Sequence, residues 1–226
     1  MGAEKLKITP FFLSIAFIFT ATVAIVLMAV SCGGNVIVFE ADYYFVCYSV
    51  EDNAVSADSI SGAVSSYGGA GYILGYGDEY YVTVACYYDK DDAERVRSTL
   101  FRRGLECIVL KVETEEYALS AFNSKENKQK FLGNLNTLHT LSTLAYKCAN
   151  GLDTGSYSQS AAKSVLADIK SGLNGLKNAN SENCFTGEIR RLISECDSFG
   201  NGYIYSKDMR KLQIAIADTI INIKLY

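Results

Sequence analysis

The spacing of apolar and polar positions changes character twice along the chain, which divides it into three stretches. Ile8 to Phe39 carries no charged side chain, and its dense apolar part, Pro10 to Val30, runs for 21 residues. As a helix that part reaches roughly 32 Å, about one hydrocarbon core. From Asp42 to Val112 the pattern turns to short β-branched and aromatic runs that alternate with helical spacing. The strands expected are Tyr43 to Tyr48, Tyr72 to Leu74, Tyr80 to Tyr88 and Cys107 to Val112. Between them, Ala54, Ala57, Ile60, Val64 and Tyr67 share one helix face, and so do Ala93, Val96 and Leu100. Glu51-Asp52-Asn53 and Asp89 to Asp92 supply capping chemistry, and Gly68-Gly69 and Gly104 end the two helices. After Val112 the period becomes three and four. One helix is expected over Glu115 to Cys148, with a polar interruption at Asn123 to Lys130 and a stop at Asn150-Gly151. A second starts at Ser158, a third holds Phe185 to Phe199, and a fourth starts near Ser206.

The middle stretch reads as a duplication. Val46-Cys47-Tyr48 aligns with Ala85-Cys86-Tyr87, and seven residues separate Cys47 from Ala54 as they do Cys86 from Ala93. The resulting order is βαββαβ. Right-handed crossovers then give a four-stranded antiparallel, ferredoxin-like sheet with both helices on one face. In this reading the first and third strands are parallel neighbours at the centre. The fold class expected is α+β: an N-terminal transmembrane helix, this sheet, and a C-terminal helical bundle. The divisions are 1–34, 35–112 and 113–226.

The duplicated segment resembles the SPOR (sporulation-related repeat) domain family. Tyr43-Tyr44-Phe45-Val46-Cys47-Tyr48 with Ala54 following takes the place of the first family strand and its Ala-led helix. Tyr80 to Tyr87 with Ala93 and Leu100 takes the place of the second. The resemblance covers about 70 of the 226 residues. It implies binding of peptidoglycan glycan strands stripped of their peptides, on the sheet face opposite the helices, in cell division or sporulation. By strand alternation it puts Tyr44, Tyr48, Thr83 and Tyr87 on that face. Tyrosine suits sugars, because the ring covers a pyranose C–H face while the hydroxyl reaches a sugar hydroxyl. The alternative is a structural or partner-binding module whose fold has lost glycan binding.

Composition narrows the field further. The chain is 49% hydrophobic and 20% charged, with Lys+Arg 21 against Asp+Glu 25, a formal charge of −4. That argues for a globular chain and against a nucleic-acid partner. One His and no Trp leave little room for His-based catalysis, and no P-loop or nucleophile–base spacing is present. We therefore expect no enzyme, no cofactor and no metal. Lys5 and Lys7 before the apolar run place that end in the cytoplasm, so the expected location is the cell membrane, single-pass, with the C-terminal part extracytoplasmic. Alternatively, Met28 to Cys32 reads as a lipoprotein signal with Cys32 as the lipid attachment site. The membrane is then one partner, the glycan a second, and an unidentified protein on the helical bundle a third.

Three further features weigh little. The seven cysteines show no CxxC spacing and read as small buried apolar residues, with Cys47 and Cys86 close together in the sheet core. Asp197 to Asp208 echoes a calcium loop, but Phe199 stands where a ligand is needed. His139 sits on an apolar helix stretch, and Glu113, Glu115 and Glu116 form a charge run at a boundary.

Overall fold

The computed structural model describes residues 36–37, 39–114, 117–118, 124–180, 184–199 and 202–223. These form six strands and six helices. In chain order they are β1 (Val36–Ile37), β2 (Asp42–Glu51), α1 (Ala54–Ser66), β3 (Tyr72–Tyr76), β4 (Glu79–Tyr87), α2 (Lys90–Phe101), β5 (Ile108–Glu113), β6 (Tyr117–Ala118), α3 (Lys125–Asp153), α4 (Gln159–Ala179), α5 (Cys184–Phe199) and α6 (Ser206–Asn222).

Local chemistry sets most of these boundaries. The Asn53 side chain accepts from Ser56 N at 2.9 Å to cap α1, and Asp89 accepts from Asp91 N and Asp92 N to cap α2. Ser124 caps α3 and Ser158 caps α4 in the same way. Gly68 and Gly104, at φ of 90° and 82°, close the two crossover helices in the left-handed region.

Four strands form one sheet in the order β3-β4-β2-β5, every neighbouring pair antiparallel. This corrects the expected parallel centre: β2 and β4 run in opposite directions, Tyr44 facing Tyr87 and Glu51 facing Tyr80. Two strands joined by a helical crossover are parallel, and here the strand between them is antiparallel to both. The register of β2 against β4 shifts between Val46 and Cys47 and again between Cys47 and Ser49. Such bulges upset strict alternation of side chains.

The expected fold class needs correction in its balance and in its first element. Helix predominates among the described residues. No helix among them is long and apolar enough to cross a membrane, which argues against the expected single-pass membrane location. The expected span, 10–30, lies outside the described residues, as does Cys32. The stretch expected to open a helix at Glu115 is also different. Tyr117–Ala118 pairs with Val36–Ile37 as a small antiparallel ladder, and the helix begins only at Lys125. Nor does α3 stop at Asn150-Gly151. It continues to Asp153, and Gly155 at φ 69° follows its end. Gly151 has another use: a Cβ there would lie 2.5 Å from the Tyr157 ring, so the glycine lets the next connection fold back against the helix.

The sheet is covered on both faces. On one side, Val46, Ala93 and Cys107 pack together with Tyr44, Val84 and Leu100, and Ala57, Val64 and Val82 pack under α1. On the other side, Tyr43, Phe45, Cys47, Leu74, Cys86 and Val112 belong to one continuous core with α3 to α6. That core takes Leu135, Leu138 and Leu141 from α3, Ile169 and Leu173 from α4, Ile189 and Leu192 from α5, and Met209, Leu212, Ile216 and Ile220 from α6. Polar ties cross the same junction. Gln213 donates through Nε2 to Cys86 O at 3.0 Å, and Ser142 Oγ donates to Gln213 O at 3.2 Å. The Tyr88 hydroxyl lies 2.7 Å from Ser142 Oγ. The sheet and the four C-terminal helices thus share one core.

Candidate functional site

The face on which the family resemblance seats a glycan is an interior surface. Tyr43, Phe45, Cys47 and Val112 have no solvent exposure, because α6 crosses β3 and β4 while α3 reaches Tyr43 and Tyr88. The four residues expected on it do not share a face. Tyr44 is half-buried on the α2 side, its hydroxyl donating to Asp42 Oδ2 at 3.3 Å. Thr83 is fully buried opposite Cys47 and donates to Tyr72 O at 2.9 Å. Tyr87 is half-buried, edge-on to Tyr146 of α3 at 6.0 Å, and burial pushes its phenol up to about 12. Tyr48 alone stays open to solvent, 40% exposed. Tyr44 and Tyr48 alternate regularly along β2 onto the crossover-helix side, where Tyr87 pairs with Tyr44, and the register shift between Val46 and Cys47 leaves only Thr83, opposite Cys47, on the core face.

Tyr48 lines a groove between the two crossover helices. Val64 of α1 and Tyr67 just after it form one wall, Leu100 of α2 and Leu105 beyond its end the other, and Val84 and Cys107 line the groove between them. The cavity measures about 90 Å³, well below the roughly 300–1,000 Å³ of pockets that enclose a small molecule. It is therefore a shallow groove too small to enclose a ligand, and two tyrosines line it, Tyr67 being 86% exposed. Gly69 sets the wall in place. A Cβ there would lie 2.7 Å from Val64 Cγ1, and Gly69 N donates to Val64 O at 3.0 Å. Ala70 N then joins Val84 O at 2.8 Å, which fixes the end of α1 against β4. The sequence marked Tyr67 only as a helix-face residue. Its place just before Gly68-Gly69, at the end of a helix, was the available sign that it would be exposed.

The titratable groups inside the fold act as ties. The Tyr72 hydroxyl donates to Asp218 Oδ2 at 2.6 Å, joining β3 to α6. Burial, and then the Asp218 carboxylate, hold that phenol well above its ordinary value. Burial also raises the Asp218 carboxyl, against the hydrogen bonds from Tyr72 and Asn222. Arg191 of α5 donates to Glu188 at 2.9 Å and to Thr219 of α6 at 3.3 Å.

His139 of α3 sits among Phe39, Tyr43 and Tyr88, its Nδ1 3.1 Å from the Tyr43 hydroxyl. Burial pushes its imidazole below the ordinary value of 6.5. The folded chain takes up that proton less readily than the unfolded chain. The stability contributed by neutral His139 is therefore whole above pH 6.5 and is lost as pH falls below it. Asp218 tilts the other way from its ordinary 3.8 upward, since its neutral form is the one the fold favours. Thermal melts from pH 7.5 to 5 are expected to show a falling Tm in the wild type. The slope should be shallower in His139→Gln, and equal slopes would contradict this account.

Cys47, Cys86, Cys107, Cys148 and Cys196 are free and buried. Burial raises the thiols of Cys47 and Cys196 to about 12 and that of Cys148 to about 11, and holds Cys86 well above 9. The thiolate is the reactive form. Iodoacetamide at pH 8 should therefore leave these four unmodified in the native chain and modify all four in urea, as peptide mass spectrometry would read. Rapid labelling of any of the four in the native chain would contradict the packing.

The remaining candidates are engaged elsewhere. Asp197 pairs with Lys170 of α4, and Asp208 accepts from Tyr205 N at 2.9 Å, while the middle of that loop lies outside the described residues. Glu113 pairs with Lys111; Glu115 and Glu116 lie outside the described residues. No group of three metal-ligating side chains gathers among the described residues.

Comparison with known proteins adds one likeness. No family model matches the chain, so the SPOR resemblance stands without that support. No curated protein matches either. Among solved structures, the peptidoglycan-binding domain of the B. subtilis cell wall lytic enzyme CwlC is similar at 20% identity with a TM-score of 0.28. The match covers 34% of this chain and 96% of that one. The likeness to a peptidoglycan-binding domain is thus weak.

Proposed function

We propose that the protein is a non-catalytic module that holds peptidoglycan glycan strands, and that it does so on the outside of its crossover helices. The observation that carries this reading is the pair Tyr48 and Tyr67, two exposed rings that line one shallow furrow. Such rings offer an apolar face to a sugar's C–H surface and a hydroxyl at the edge. A furrow too small to enclose a ligand suits a polymer that runs past it. The duplicated strand–helix motif agrees with this ligand class, while the sheet face is not available for it. Cell division or sporulation is the setting that the resemblance implies.

The test is co-sedimentation of the full chain with purified sacculi, before and after amidase treatment. Amidase-enhanced retention that falls in Tyr48→Ala and Tyr67→Ala, but not in Tyr87→Ala, is the expected result. A second reading is favoured by the closure of the sheet under α3 and α6 and by the apolar lining of the furrow: a structural or partner-binding module that has lost glycan binding. Equal background retention in every sample would decide for it.

A further inference from the structure

We propose that Tyr203 and Tyr205, on the connection between α5 and α6, form a second saccharide platform that extends the furrow onto the helical half of the molecule. This rests on the glycan-binding reading above. The two rings are 62% and 54% exposed, with centroids 4.9 Å apart and planes tilted by 46°. Ile204 between them is fully buried. Its backbone is gripped from both sides by Gln159 of α4: Nε2 donates to Ile204 O at 2.8 Å, and Ile204 N donates to Oε1 at 2.9 Å. Tyr205 is extended, at φ −97° and ψ 157°, and its N–H is held by Asp208. Residues two apart in an extended segment project to the same side. The pair is therefore fixed in place while facing water, and fixed groups lose little freedom on binding.

The pair is joined to the furrow. Lys207 lies 5.8 Å over the Tyr205 ring and donates to Ser65 O, at the end of α1, at 3.2 Å. Arg210 donates to Gly68 O at 3.5 Å. Lys207 and Arg210 thus hold the Tyr203–Tyr205 connection against the end of α1, and Tyr67 follows Ser65 by two residues at that same helix end. A run of aromatic faces with an ammonium among them matches a saccharide chain that carries carboxylates. A muramic acid strand freed of its peptides is such a chain. An apolar helix would match the rings but not the ammonium, which keeps two further donors beyond its bond to Ser65.

The experiment measures binding of the full chain to amidase-treated glycan, as fragments short enough to fill one platform and as longer strands. Tyr203→Ala/Tyr205→Ala is expected to weaken long strands at least about tenfold and to leave short fragments unchanged. Lys207→Gln should weaken the long strands and flatten their salt dependence. Added long strands should also protect the Tyr203 and Tyr205 rings of the wild type from hydroxyl-radical labelling, a readout that needs no variant. If long strands bind the wild type through Tyr48 and Tyr67 but the double variant binds equally and its rings stay labelled, the second platform is overturned while the function stands. If the wild type binds no glycan, both are overturned.

Discussion

A chain cut before Ser206, so that α6 is missing, is expected to lose the folded state of the sheet as well as of the helices. The helix supplies Met209, Leu212, Ile214, Ile216 and Ile220, each with no solvent exposure. Each side chain of this kind contributes roughly 1.5–3 kcal/mol on burial, so the five together match the roughly 5–15 kcal/mol that holds a whole domain. Removing α6 would also strip Cys86 O of its partner Gln213 and the Tyr72 hydroxyl of Asp218. Circular dichroism and a thermal melt would read the result: no cooperative transition. A truncated chain that melts cooperatively with native strand content would show that the sheet stands by itself and that its face needs no cover.

Phe45→Ala is the second large effect, at about 3–5 kcal/mol. Phe45 lies on β2 at the centre of the sheet, packs 6.3 Å from the Tyr43 ring and is wholly buried in the core shared with the four C-terminal helices. A cavity there has helix on one side and sheet on the other. Urea unfolding followed at 222 nm should shift to lower midpoint in a single transition with an unchanged slope. Two separated transitions, with only one shifted, would mean that sheet and helices are independent units.

Much of this architecture is legible in the sequence. The duplicated spacing around Cys47 and Cys86 gives the order of strands and crossover helices, and the spacing of Ala162, Val165, Ile169, Leu173 and Leu176 gives the inward stripe of α4, although Val165 is only partly buried and Leu166 is buried beside it. What was misread was the sheet's second face. Tyr43 to Tyr48 contains no charged or amide side chain, and Val82 to Cys86 offers only Thr83 as a polar break. A strand with one wet face alternates, whereas a near-continuous apolar run is buried on both faces. That sign was present, and the family pattern, which leaves one face open, overrode it. The register shifts at Cys47 were not legible, because a bulge depends on the partner strand and leaves no fixed mark in the sequence. The tyrosines that matter most on the surface were missed for a simpler reason. Tyr67 and Tyr205 sit at helix caps, where the side chain belongs to neither periodic face and the spacing pattern does not set its exposure.

Hydroxyl-radical labelling of the native chain, mapped by residue, tests the central claim most directly, because it reads side-chain exposure on both surfaces at once. The account predicts that Tyr43 and Phe45 stay unlabelled while Tyr67, Tyr203 and Tyr205 are labelled strongly. Labelling of Tyr43 and Phe45 at the level of Tyr67 would mean that the sheet face is open to solvent, and would return the glycan site to it.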